Sequence, residues 1–168
     1  MKKLILILCF GMFSIVSSKA QNIGVSLSYS TKNVLAMDLF FRKETNRFHF
    51  GYGHQFNGQK NKVVRERESN YGLTKIEDGD FFWVIDLGYS RIISDVLTIH
   101  PEISIGGKNY FTSYKDNRFS DNGYSLINRS ETIAGLGVNV GYFLNDNIEP
   151  FIGYHTMKKM NFGLRFSF

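Results

Sequence analysis

The chain has 168 residues, 43% hydrophobic and 15% aromatic, with 16 Phe, 9 Tyr and only 2 Pro. That is enough apolar material for one folded domain; disorder and a pair of large domains are both excluded. The formal charge is +5, but its distribution along the chain removes most of its meaning. Lys2 and Lys3 precede an apolar run from Leu4 to Val16, and Ser18-Lys19-Ala20 places small residues where a signal peptidase reads them. Residues 1–20 are therefore expected to be a cleaved signal peptide and residues 21–168 the mature domain. The apolar run is too short to span a bilayer comfortably as a helix. Cys9 lies inside it without the small residues that precede a lipid-modified cysteine. Export removes this sole cysteine, so disulfides, thiol nucleophiles and cysteine metal sites are excluded. It also removes Lys2, Lys3 and Lys19, which lowers the charge to +2 and leaves no argument for a nucleic-acid partner.

From Asn22 onward apolar residues recur at every second position, the period of a strand. Ile23, Val25, Leu27 and Tyr29 open the pattern, followed by Leu35, Met37, Leu39 and Phe41, then by Phe48, Phe50, Tyr52 and Phe56. Phe81 to Tyr89, Leu97 to Ile105 and Thr132 to Tyr142 continue it. Pro101 falls on the apolar side of the fifth segment. Ile148 to Tyr154 and Met160 to Phe168 complete eight predicted strands. Their lengths approach the roughly 9–11 residues that a tilted strand needs to cross a bilayer. Short connections at Glu44 to Asn46, Arg91 to Asp95 and Leu144 to Asn147 alternate with long ones at Asn57 to Gly79 and Gly107 to Ser130. Lys32-Asn33 and Met157 to Lys159 are short but lie on the long-loop side.

An eight-stranded soluble carrier barrel would show the same count with an apolar interior. Here one face is nearly all Phe, Tyr, Trp, Leu, Ile, Val and Met, while the other mixes glycine with Asp, Glu, His, Arg, Ser and Asn. Burying the second face dry would leave charges unpaired at several kcal/mol each. The apolar face must therefore point outward. Tyr29, Phe56, Phe81, Trp83 and Tyr154 then form one aromatic girdle, and Phe41, Phe48, Tyr89, Tyr142 and Phe168 the other. The expected fold is all-β, an eight-stranded antiparallel up-and-down transmembrane barrel.

The last residues, Asn161-Phe162-Gly163-Leu164-Arg165-Phe166-Ser167-Phe168, resemble the terminal signal of outer-membrane β-barrels, with Asn161, Gly163, Phe166 and Phe168 at the diagnostic places. The mature chain as a whole resembles the small barrel family typified by OmpX and the OmpA membrane domain. The resemblance implies a monomer in a Gram-negative outer membrane, in contact with lipid and lipopolysaccharide, inserted by the barrel assembly machinery through its terminal strand. The signal peptide ending Lys19-Ala20-Gln21 is similar to those of Bacteroidota.

Strand parity directs Asp38, Asp86, Glu102, Glu131 and Glu149 inward with Arg42, Arg165, His49, His100 and His155, the residues of an expected interior polar network. Folding the fourth and fifth segments into a hairpin sets Asp86 opposite His100 or, with a two-residue change, Glu102. A narrow solute pore and a lipid A-modifying enzyme stand as alternatives to a filled interior. Lipid A deacylases of similar architecture carry His-x-Ser, but the four histidines here read His49-Phe-Gly, His54-Gln-Phe, His100-Pro-Glu and His155-Thr-Met. No catalytic residue, metal site or cofactor is assigned. On the long-loop side Lys32, Lys108, Lys115, Lys158 and Lys159 are candidates to contact lipopolysaccharide phosphates, whereas the short turns carry Glu44, Asp95 and Asp146 against Arg91. Tyr110, Phe111, Tyr114, Phe119 and Tyr124 could form a contact surface or pack on one another.

Overall fold

The computed structural model describes residues 23–56, 61–94, 96–119 and 122–168, so the expected signal peptide lies outside the described residues. The strands are β1 (Ile23–Ser30), β2 (Val34–Lys43), β3 (Asn46–Gln55), β4 (Lys62–Val64), β5 (Thr74–Ser94), β6 (Leu97–Lys115), β7 (Gly123–Tyr142), β8 (Ile148–His155) and β9 (Lys159–Ser167). Eight pair antiparallel in chain order and close into a ring through β1 with β9 and β7 with β8. Closure leaves no wall strand as a free edge of the sheet, the condition for crossing hydrocarbon with strands. The ninth, β4, lies parallel on the projecting part of β7.

Alternation sorts the two faces. Leu39, Phe50, Leu87, Ile103 and Leu136 are register partners across five strands and are all exposed. One position along, Asp38, Gly51, Asp86, Ser104 and Gly135 form the matching inner row. A soluble protein would bury the first row and expose the second; here the order is reversed, so the apolar belt belongs in lipid. The fold is a transmembrane β-barrel.

The structure corrects the expected outline in three places. The stretch read as a loop from Gly107 to Ser130 is mostly strand, because β6 runs to Lys115 and β7 starts at Gly123. With β5 extending back to Thr74, three strands of 19 to 21 residues project as a sheet. A register shift at Tyr110 and Phe111 breaks the alternation there, which hides the strand from a period-two reading. Second, Asp86 faces Ser104 rather than His100 or Glu102. Strand β5 continues to Ser94, so the turn centre lies two residues later than the middle of Arg91 to Asp95. Each residue of displacement moves a hairpin partner by two. Third, Phe81 is buried, packed on Phe111 and His54, whereas Tyr29, Phe56, Trp83 and Tyr154 of the same girdle are exposed.

Candidate functional site

The barrel interior holds two linked clusters of charge. Near the end that carries both described termini, Glu149 at the start of β8 receives Arg165 Nη1 at 2.6 Å, Arg47 Nη1 and the Thr98 hydroxyl. His100 Nε2 lies 3.5 Å from the same carboxylate. The Arg47 guanidinium lies over the Phe40 and Phe143 rings, and that of Arg165 over Phe151 at 3.9 Å. Such cover suits a weakly hydrated planar cation out of bulk water.

Higher in the barrel, Lys158 reaches down from the β8–β9 turn. Its Nζ lies 3.0 Å from Asp86 Oδ2 and 2.8 Å from Glu102 Oε1. Asn139 donates to Glu102 at 3.0 Å, and Ser26 donates to Asp38. His49 lies 3.8 Å from Glu102, and its ring meets that of His100 at 5.8 Å, joining the two clusters. Glycine makes room for these side chains: a Cβ on Gly88 would collide with the His49 ring, and one on Gly141 with the Glu149 carboxylate. The residual cavity between the clusters is only about 10 Å³, room for about one water. Glycine at these places admits the larger side chains of its neighbours.

Of the residues expected inside, Asp86, His49, His100, Glu102, Glu149, His155 and Arg165 are buried there, and Asp38 is partly buried beside Ser26. Arg42 and Glu131 lie toward opposite ends of the barrel. The Arg42 side chain donates to the Glu44 carbonyl near the terminal end; Glu131 sits at the opposite mouth, accepting from the Tyr110 hydroxyl and Arg129. Arg47 and Lys158 take part in their place. Arg42 and Arg47 are register partners on the inward face, where two like charges repel, and only Arg47 turns to Glu149. Lys158, expected at the outer rim, is 3% exposed; two buried carboxylates draw the turn inward. Lys32 and Lys115 are exposed, Lys108 pairs with Asp80 at 3.2 Å, and Lys159 lies over Tyr154. In the terminal strand Asn161 is buried, Gly163 and Phe166 are partly buried and Phe168 is exposed, its amide donating to Ile23.

Two arrangements in the upper cluster resemble chemistry that the sequence reading left unassigned. Ser104 Oγ lies 3.0 Å from His155 Nε2 and donates to Asp86. The imidazole Nδ1 accepts the backbone N–H groups of Met157 and Lys158, so the neutral ring carries its proton on Nε2. A general base needs a lone pair there, and Asp86 holds the serine rather than the imidazole. The group is not an activated serine. Asp86, Glu102 and His155 also bring ligand atoms within 4.8 Å of one another, as a metal site would. The Lys158 ammonium already stands against both carboxylates as the counter-cation.

The loop aromatics pack together above the barrel. Tyr124 is fully buried, with Tyr71, Tyr114 and Phe119 at 5.2 to 5.3 Å between ring centres. Asp116 clasps the tip: it receives Arg118 through two bonds of 2.9 and 2.6 Å and the Gly72 amide at 2.8 Å. The guanidinium beside it, helped by that amide, holds its carboxyl well below the usual aspartate range.

No protein-family model matches the sequence, and no curated protein sequence matches it. Solved structures do match. Ail, the attachment invasion locus protein of Yersinia pestis, aligns with a TM-score of 0.53 at 12% identity, over 88% of this chain and 94% of that one. The N-terminal β-barrel domain of Pseudomonas aeruginosa OprF aligns with a TM-score of 0.48 at 11% identity, covering 89% and 98%. Neisserial surface protein A aligns at 0.44 and 15% identity, covering 88% and 95%. With Ail the likeness reaches the level of a shared architecture, and it agrees with the closed ring and outward apolar belt: the chain has the fold of the small eight-stranded outer-membrane β-barrels.

Proposed function

We propose that the protein is a monomeric, non-enzymatic barrel of a Gram-negative outer membrane whose work is surface contact through the sheet projecting from it. The observation that carries this reading is strand length. β5, β6 and β7 have 21, 19 and 20 residues, about twice what the bilayer requires. Ile76 lies seven residues beyond Trp83 of the outer girdle along β5, or ~23 Å at the strand rise. Its side chain and that of Leu73 are exposed there, away from any lipid. An exposed apolar side chain beyond the membrane is a contact candidate, and the packed tyrosines beneath give it a stiff support.

Lys32, Lys115 and Lys159 add cationic groups on the same side, suited to lipopolysaccharide phosphates. A photo-crosslinker placed at Ile76 on intact cells tests the contact. A discrete adduct with a protein or glycan, absent when the crosslinker replaces Leu97 at the terminal end, supports it; adducts with lipid alone, or none, overturn it. Equal melting temperatures in nanodiscs with and without lipopolysaccharide would remove the glycolipid part of the proposal.

A further inference from the structure

The outward face of the wall carries a groove of about 730 Å³ that crosses β2, β3, β5, β6 and β7. Phe41, Phe48 and Tyr89 flank one end, Ile103 and Leu136 the other, and all five are exposed. Between them lies Pro101, exposed on the same face. Its ring is short beside those side chains, and it brings no N–H to the ladder. The pairing of β5 with β6 lapses there, over Tyr89 and Ser90, between the partners Gly88 and Glu102 on one side and Arg91 and Ile99 on the other. The hollow sits where a small outward residue and a lapse in the seam coincide.

A row of register partners runs across strands that tilt by roughly 45°, so the row is equally oblique to the membrane. Four strand spacings separate β2 from β7, about 19 Å, of which about 13 Å lies along the membrane normal, close to half of the ~30 Å hydrocarbon core. Phe41, Phe48 and Tyr89 belong to the aromatic girdle at the end that carries the described termini, whereas Leu136 stands six residues from Tyr142 of that girdle along β7. The groove therefore begins at that interface and has the span of one leaflet.

The next outward row beyond Phe41, Phe48 and Tyr89 is Lys43, Asn46 and Arg91. Lys43 and Arg91 are exposed, and neither has an ion pair among the described residues. They stand two strand spacings apart, ~10 Å between backbones, and both side chains are long enough to meet on one phosphate. The neighbouring acid, Glu44, belongs to the turn beyond β2, so the cations are the charges nearest the hydrocarbon at this end of the groove.

We propose that the groove is a binding site for an anionic phospholipid of the leaflet at the terminal end, one acyl chain lying along it from Tyr89 to Leu136 and the phosphate held between Lys43 and Arg91. Any lipid covers an apolar wall; the two cations at the foot of a hollow one leaflet long select a phosphate-bearing one. The proposal rests on the membrane placement of the wall and not on contact through the projecting sheet, so a failure of the Ile76 crosslink leaves it standing.

The probe is dioleoylphosphatidylglycerol, titrated into the full mature barrel in maltoside micelles. The methyl resonances of Ile103 and Leu136 are followed against Ile152, which is as exposed as Ile103, at 56%, but lies on β8 outside the groove. Saturable shifts are expected at Ile103 and Leu136 alone, with dioleoylglycerol, which lacks the phosphate, at least tenfold weaker. Lys43→Gln with Arg91→Gln should weaken the phospholipid about tenfold and leave dioleoylglycerol unchanged; Pro101→Leu, which fills the hollow, should weaken both. Lys43 and Arg91 are exposed, so their variants report binding even if Pro101→Leu fails to fold. A shift at Ile152 equal to those in the groove, the mark of a general lipid coat only, overturns the proposal. So do equal affinities with and without the phosphate, or variants that bind like the parent.

Discussion

At the scale of single residues, Glu149 has the greatest number of dependants. It holds two guanidiniums, both at most 6% exposed at the side chain, and the Thr98 hydroxyl. Removing one partner of a buried ion pair leaves an uncompensated charge and costs about 3–5 kcal/mol. Glu149→Leu is therefore expected to destabilise the barrel by about that much, whereas Glu44→Leu, on the exposed short turn, should stay within about 0.5 kcal/mol. Guanidinium unfolding from lipid vesicles measures both, and a loss below about 1 kcal/mol for Glu149→Leu would show that Arg47 and Arg165 find other partners. Part of this centre is legible in sequence, because parity alone directs Glu149, His100 and Arg165 to one face. Arg47 shares that parity, but it borders a turn where an arginine reads as solvated, and its partner Glu149 on β8 comes within reach only when the ring closes.

At the scale of the element, the β8–β9 turn works as an internal strap. The Met157 and Lys158 amides donate to His155 Nδ1, and the Lys158 side chain descends between Asp86 and Glu102. A lysine in a three-residue turn carries no sequence signal for burial; what draws it inward is a pair of carboxylates on β5 and β6, brought together only by closure of the ring. The register of that β5–β6 hairpin was equally hidden, since a turn two residues later keeps the same faces while changing every partner. Strand number, facing and belt, by contrast, follow from the period itself. Lys158→Met should cost about 3–5 kcal/mol, while Lys159→Met should be nearly neutral. Guanidinium unfolding from lipid vesicles compares the two variants, and equal losses would show that the ammonium is not the counter-cation of Asp86 and Glu102.

At the scale of the whole molecule, the barrel and its projecting sheet are held by different forces and should answer differently to acid. The wall is closed by strand pairing all round and bathed in lipid, whereas the tip is gathered by the rings packed on Tyr124 and clasped by Asp116, between Arg118 and the Gly72 amide. Arg118 first, then that amide, lowers the Asp116 pKa in the folded tip. A carboxyl whose folded value is depressed contributes stability above its unfolded value, about 3.9, and loses that contribution as pH falls through the lower folded value. The tip should therefore stay clasped at pH 5 and loosen only at a pH below the ordinary aspartate value, while the wall remains closed. The Gly72 amide resonance reports this directly: its midpoint should fall below about 3.9 and rise toward it in Arg118→Gln, which removes the main cause. A Gly72 midpoint at or above the ordinary aspartate value would mean that the clasp is not formed. If the wall resonances moved with the same midpoint, sheet and barrel would be one cooperative unit, and the projecting strands would then owe their rigidity to the membrane-embedded wall rather than to the aromatic packing at their tip.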